Sequence, residues 1–277
     1  MTPLRGLSPV LVTSPTVRSG TTLLQRLLCS SPDALIYGEE VGKDLDLQLQ
    51  ISSSRRLVYG HSRRRFTDSL ERVVAGDGDD WLLDLMPDID GYLDALHRGV
   101  FAGLEHCRQH AQSVGRPVWG FKYPGWPPHL VRQLSDHLPG TRVVFLVRDL
   151  ADTARSAKAW GAIDGEPGMQ AFCAQWAQGV AFMAQWRQAH PVLVLSFEEL
   201  LADPAPALAR LQDFLGVAGI DPRLLDRRIN NLTQGLDTRH GHTGYIAPAA
   251  LTATEAAMVE AATRAAQLNK LAADPGS

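Results

Sequence analysis

The segment from Pro9 to Cys29 constrains the fold of this 277-residue chain more than any other. Pro9-Val10-Leu11-Val12-Thr13 is a short apolar run that ends in Ser14-Pro15 and reads as a buried strand. A turn-rich loop follows, and from Thr21 to Leu28 the apolar residues recur at helical spacing. Val118 to Phe121, Arg142 to Val147 and Pro191 to Leu195 are further buried-strand candidates. Helical patterns lie between them, roughly over 89–112, 127–138, 150–158, 168–189, 204–215 and 252–271. Strands that alternate with helices predict an α/β fold of three layers, a central parallel sheet flanked by helices. Ligands of such sheets bind beyond the carboxyl ends of the strands, so the residues just after each strand are the ones to inspect.

With 45% hydrophobic residues the chain can bury a sizeable core. No Pro/Gly/Ser linker, repeat or low-complexity tract interrupts it, so residues 1–277 are expected to form a single domain. A formal charge of −3 gives no general attraction for nucleic acid, and Arg63-Arg64-Arg65 reads as a solvated face. No apolar run is long enough to span a membrane, and a cytoplasmic protein is expected. Homo-oligomerisation is left open. The three cysteines, Cys29, Cys107 and Cys173, form no C-x-x-C pair and no complete disulfide framework. Cys29 and Cys173 fall in apolar helical stretches and read as buried thiols. No metal is expected.

The loop Ser14-Pro15-Thr16-Val17-Arg18-Ser19-Gly20-Thr21-Thr22 has the chemistry of an anion cradle. A helix start leaves backbone amides unpaired and carries partial positive charge. Gly20 lets the backbone approach an anion, Arg18 adds a permanent cation, and Thr21 and Thr22 add hydroxyl donors. A Walker A loop needs Gly-Lys-[Ser/Thr], whereas here Gly20 is followed by Thr21 and the cation precedes it. On these residues alone, an ordinary helix with Ser19 as N-cap remains the alternative.

Arg-Ser-Gly-Thr-Thr-Leu-Leu after a strand resembles the 5′-phosphosulfate loop of the sulfotransferase family, with Val17 where the family commonly has proline. The resemblance extends to the end of RVVFLV, where Arg148-Asp149 is followed eight residues after Arg148 by Ser156. It implies that Arg148 and Ser156 hold the 3′-phosphate of 3′-phosphoadenosine-5′-phosphosulfate, although Leu150 replaces the family's proline. Arginine suits the role because its planar fork gives bidentate donors. Arg239-His240-Gly241-His242-Thr243-Gly244 resembles the Arg-Lys-Gly-x-x-Gly segment that closes over the same phosphate, which implies a role for Arg239, His240 and Gly241, with a Gly-rich surface loop as the alternative. Ser196 to Leu200 is similar to the Tyr-Glu-Asp-Leu segment and implies Phe197 near the adenine, with a core phenylalanine as the alternative. The implied fold is the family's P-loop-like α/β domain.

Sulfuryl transfer requires a base on the acceptor side and cations around the transferring group. Lys122 sits in Phe-Lys-Tyr-Pro, where many cytosolic members have Lys-Thr-His, so Pro124 takes the place of their histidine base. Tyrosylprotein sulfotransferases have Lys-Asp-Pro there, and a Gly-Glu-Glu whose second glutamate is the base. This chain has Gly38-Glu39-Glu40. The resemblance therefore implies Glu40 as base, Glu39 as its runner-up, and Lys122 with Arg18 as the cations that stabilise the reacting group. An acidic pair at a helix N-terminus is the alternative for the two glutamates. His61, His129 and His242 are reserve bases.

The expected acceptor is a small molecule with a hydroxyl or amine, and residues 41–112, with Trp81, Met86 and Tyr92, are expected to form its wall. Two other function classes compete with sulfuryl transfer. One is a nucleotide or small-molecule kinase with a degenerate P-loop, which needs Mg²⁺ and an acidic strand end where this chain has Arg148. The other is a non-catalytic module that binds an adenosine bisphosphate.

Overall fold

A computed structural model describes residues 6–77, 85–227 and 246–273. The described chain runs β1 (Val10–Thr13), α1 (Thr21–Ser30), β2 (Ala34–Tyr37), α2 (Glu39–Val74), α3 (Ile89–Ser113), β3 (Val118–Lys122) and α4 (Pro128–His137). It continues through β4 (Arg142–Val147), α5 (Leu150–Ala159), α6 (Gly165–Trp186), β5 (Val192–Ser196), α7 (Phe197–Ala202), α8 (Pro204–Leu215) and α9 (Ala253–Ala273). The strands form one parallel sheet in the order β2-β3-β1-β4-β5.

Strand parity sorts the core into two layers, because successive side chains point to opposite faces. On one face Leu11, Phe121, Val143 and Phe145 pack under α2, α3, α4 and α6. On the other, Val10, Val12, Val144 and Leu146 meet Leu24, Leu27 and Leu28 of α1 and Leu208, Leu211 and Leu215 of α8. Each fully buried leucine contributes roughly 2 kcal/mol relative to exposure, so this double burial fixes the register. A third cluster joins α5 and α6 to α9 through Leu150, Met169, Trp176 and Val259.

The register brings five strand ends to one edge. Val12 of β1 pairs with Lys122 of β3 and with Val144 of β4, and Tyr37 of β2 lies beside Phe121. Val147, just before Arg148, pairs with Ser196, just before Phe197. Glu39, the β1–α1 loop, Lys122, Arg148 and Phe197 all follow strands at that edge, where parallel sheets place their ligands.

Two elements differ from expectation. Ala34 to Tyr37 forms an edge strand, and Glu39 to Val74 forms a helix of 36 residues. That helix buries only a thin stripe, Leu45, Leu49, Ser52, Phe66 and Ser69 among others. Its basic run is drawn partly into the α2–α3 hairpin, where Arg63 pairs with Asp90 at 2.6 Å. Cys29 turns its sulfur to Ile36, whose amide donates to Sγ at 3.3 Å, and Cys173 is buried in α6.

Candidate functional site

The loop between β1 and α1 is shaped by its own hydroxyls. Ser14 and Ser19, both buried, donate to the Thr16 carbonyl at 2.7 and 2.9 Å. Ser19 therefore does not cap the helix; Gly20 holds that position, with φ 91°. A Cβ at Gly20 would lie 2.4 Å from Cε2 of Phe197, so both the left-handed backbone and the close approach require glycine. Helix α1 starts at Thr21 with no side-chain cap and no acidic residue in its first turn. Its positive end is thus left uncompensated from within the helix.

Two arginines meet over this end. Arg18, itself left-handed at φ 68°, donates through Nε to Ser156 Oγ at 3.2 Å. Its guanidinium lies 4.8 Å over the Trp160 ring. Arg148 donates through Nη1 to the Arg18 carbonyl at 3.3 Å and stacks 4.7 Å over Phe197. The Arg148 carbonyl accepts from Trp176 Nε1 at 3.3 Å, while Asp149 caps α5 by accepting from the Asp152 amide at 3.0 Å. Asp149 thus serves the helix rather than its neighbour arginine, and Phe197 is the platform of Arg148, wedged against Gly20.

Burial and the nearby Arg148 hold the Arg18 guanidinium below its ordinary pKa, with Glu39 acting in the opposite direction. Both effects disfavour the charged form, so an anion between the arginines is favourable. Among the buried polar side-chain atoms that lack a partner in the described residues, two belong to this region: Nε of Arg148 and Oγ1 of Thr16. Buried donors are ordinarily paired, and an arginine fork matches phosphate geometry. The residues fit a bisphosphate or phosphosulfate group.

Lys122, buried at the end of β3, forms an ion pair with Glu39 and donates to Thr22 Oγ1 at 3.3 Å. The Glu40 side chain is 80% exposed and pairs with Lys43 at 2.5 Å. Adjacent helical residues point about 100° apart, so the helix sends one glutamate inward and the other outward. The expectation had favoured Glu40; Glu39 is the one brought to the lysine. Gly42 allows α2 to lie this close, since a Cβ there would meet Tyr123 Cβ at 2.8 Å.

A pocket of about 270 Å³ opens between the β1–α1 loop, Glu39 and the end of α5. Arg18, Gly20, Thr21, Thr22 and Glu39 supply its polar lining, and Pro124 and Trp160 supply apolar wall. Arg18, Ser19, Gly20, Thr21, Thr22, Lys122, Arg148, Ser156 and Phe197 thus come together at one sheet edge. Arg239, His240 and Gly241 lie outside the described residues, as do His242 and Trp81. His61 and His129 are exposed and do not line the pocket. Among the described residues no group of three or more His, Cys, Asp or Glu is arranged to hold a metal ion, and no helix is long and apolar enough to cross a membrane.

Trp160 and Trp176 escaped sequence reasoning. Trp160 carries a usable signal, because it stands four residues after Ser156 and so shares its helix face.

A family model described as the sulfotransferase family matches residues 9–222. No curated protein matches the chain. Among solved structures, a sulfotransferase domain from the curacin biosynthetic pathway is similar with a TM-score of 0.51 and 14% identity, over 93% of this chain and 98% of that one. A sulfotransferase from Alicyclobacillus acidocaldarius is similar with a TM-score of 0.48 and 15% identity, over 96% of this chain and 95% of that one. At this level of identity the likeness concerns the fold.

Proposed function

The chain belongs to the sulfotransferase family, and from that premise we propose that it moves a sulfuryl group from 3′-phosphoadenosine-5′-phosphosulfate to a hydroxyl or amine of a small-molecule acceptor. The observation that carries the choice of donor is the pairing of two half-buried arginines over an uncapped helix start. Arg148 keeps an unpaired Nε there, and Ser156 stands within reach of Arg18. The donor, when bound, supplies the sulfuryl group and the phosphate that leaves.

In this proposal the backbone of Gly20, Thr21 and Thr22 and the Arg18 guanidinium hold the 5′ anion, with Ser19 keeping the loop in shape. Arg148 and Ser156 hold the 3′-phosphate, joined by Arg239, His240 and Gly241. Phe197 keeps the Arg148 fork in plane. Glu39 removes the acceptor proton as the acceptor oxygen bonds to sulfur. Lys122 and Arg18 stabilise the negative charge that collects on the departing phosphate oxygen. Glu40 is retained as the second candidate for the base. Residues 1–277 act as one domain, with α2 and α3 walling the acceptor side. No metal takes part.

The test is calorimetry with adenosine 3′,5′-bisphosphate, followed by a donor-dependent transfer assay against a metabolite extract read by the mass gain of SO₃. Arg148→Ala should weaken bisphosphate binding roughly 10- to 100-fold, the worth of a charge-assisted bond to a buried phosphate. Equal affinity in wild type and variant removes Arg148 from the site. Turnover that demands ATP and Mg²⁺ instead of the phosphosulfate donor overturns the reaction class.

A further inference from the structure

Helix α5 ends beside the pocket in a tightly specified way. The Ala162 amide donates to the Ala157 carbonyl at 2.9 Å and the Gly161 amide to the Lys158 carbonyl at 3.0 Å. With Gly161 at φ 77°, this is the paired bonding of a Schellman C-terminus, and it leaves Trp160 as the C-cap residue. Ile163, just beyond, is buried in the α5–α6–α9 cluster and pins the turn. The Trp160 indole is therefore set by backbone geometry.

Ser156 and Trp160 are four residues apart and face the same way on α5. Both address one side chain. Ser156 Oγ accepts from Arg18 Nε at 3.2 Å, and the Trp160 ring underlies the guanidinium at 4.8 Å. Arg18 needs such a clamp. It is drawn from a left-handed backbone position, stands partly desolvated, and is repelled by the neighbouring Arg148. A hydrogen bond alone fixes one edge of the guanidinium; an aromatic face fixes its plane and offsets the cost of bringing two like charges together.

We propose that Trp160 is a positioning residue for the transfer reaction, holding the Arg18 guanidinium in the plane and orientation in which it grips the 5′ anion of the donor. This rests on the donor assignment made above, and it adds a determinant of donor affinity that lies on α5 rather than in the phosphate loop. The indole acts through Arg18 and by the negative face of its ring. A side chain of similar bulk without that face does not replace it.

The experiment is calorimetric titration of the full chain with adenosine 3′,5′-bisphosphate, with wild type, Trp160→Leu, Trp160→Phe, Arg18→Ala and the Arg18→Ala/Trp160→Leu pair. Trp160→Leu should weaken binding roughly tenfold, the worth of a partly desolvated cation–π contact. Trp160→Phe should recover most of that loss, and the double variant should bind no more weakly than Arg18→Ala alone. In turnover, Trp160→Leu should raise the KM for the donor and also lower kcat, because Arg18 both grips the 5′ anion and stabilises the departing phosphate oxygen, and Trp160→Phe should restore both. Should Trp160→Leu fail to fold, Trp160→Met supplies the same ring-free comparison. Wild-type affinity in Trp160→Leu, equal losses in the Leu and Phe variants, or additive losses in the double variant each overturn the proposal. If wild type itself does not bind the bisphosphate, the donor assignment fails, and with it the role given to Trp160.

Discussion

Glu39 and Glu40 are identical in chemistry and adjacent in sequence, yet their surroundings are opposite. Glu39 meets a buried ammonium at the pocket, whereas Glu40 shares an exposed pair with Lys43. A positioned base is worth about 10²–10⁴-fold in rate. Glu39→Gln should therefore lower kcat by about 10²-fold or more, measured at saturating donor, while bisphosphate affinity stays near wild type. Glu40→Gln should keep kcat within about threefold, because an exposed pair contributes little. The reverse pattern would return the base to Glu40. The Gly-Glu-Glu motif was legible in the sequence, but which of its glutamates meets Lys122 was not. That choice depends on helix phase relative to β3, and phase is set by Leu45 and Leu49 docking in the core.

At the scale of elements, the β1–α1 connection and the turn after α1 show how local chemistry builds a site. Gly20→Ala forces a side chain into a left-handed backbone and toward Phe197, which stands 2.4 Å from the new Cβ. The expected cost is about 2 kcal/mol or more, with loss of bisphosphate binding, checked by denaturant titration and calorimetry. On the far side of α1, Nη1 of Arg116 donates to the carbonyls of Cys29, Ser31 and Ala34 at 2.8, 2.8 and 2.6 Å. It ties the end of α1 to the start of β2 and so sets where Glu39 begins α2. Arg116→Ala should destabilise by about 2 kcal/mol in urea unfolding. The long, strongly periodic helices and the apolar strands were readable because their burial is one-sided or complete. Strand β2 was not, since at the sheet edge it is buried only at alternate residues, unlike the fully buried β1, and α2 was not, since its buried stripe is thin and interrupted by serines.

At the scale of the whole molecule, α9 packs along α6 and beside α5. The Ala249 amide and the Arg155 carbonyl bond at 3.0 Å. Lys158, which lies between Ser156 and Trp160 in sequence, reaches both oxygens of the buried Glu255 at 2.9 and 2.7 Å. Lys158 and the Thr252 amide hold the Glu255 carboxyl below its ordinary value of 4.5. A depressed folded value means stability that is fully present above the unfolded pKa and lost as pH falls through the folded one. Wild type should therefore exceed Glu255→Gln in Tm at pH 7, and the gap should close as pH drops below about 4.5. A gap that persists at low pH would show that the pair does not link α9 to the fold electrostatically.

The sequence by itself determined the alternation of strands and helices, the strand–loop–helix that carries Arg18 to Thr22, and the placing of Lys122 and Arg148 at strand ends. Those features are local, written in period, turn chemistry and residue type. Only the tertiary structure decided that Glu39 rather than Glu40 meets Lys122, and that Ser156 and Trp160 clamp Arg18. It also decided that Phe197 carries Arg148, because each of these is a contact between elements far apart in the chain. Such contacts follow from sheet register and helix phase, which are fixed by the summed burial of the core.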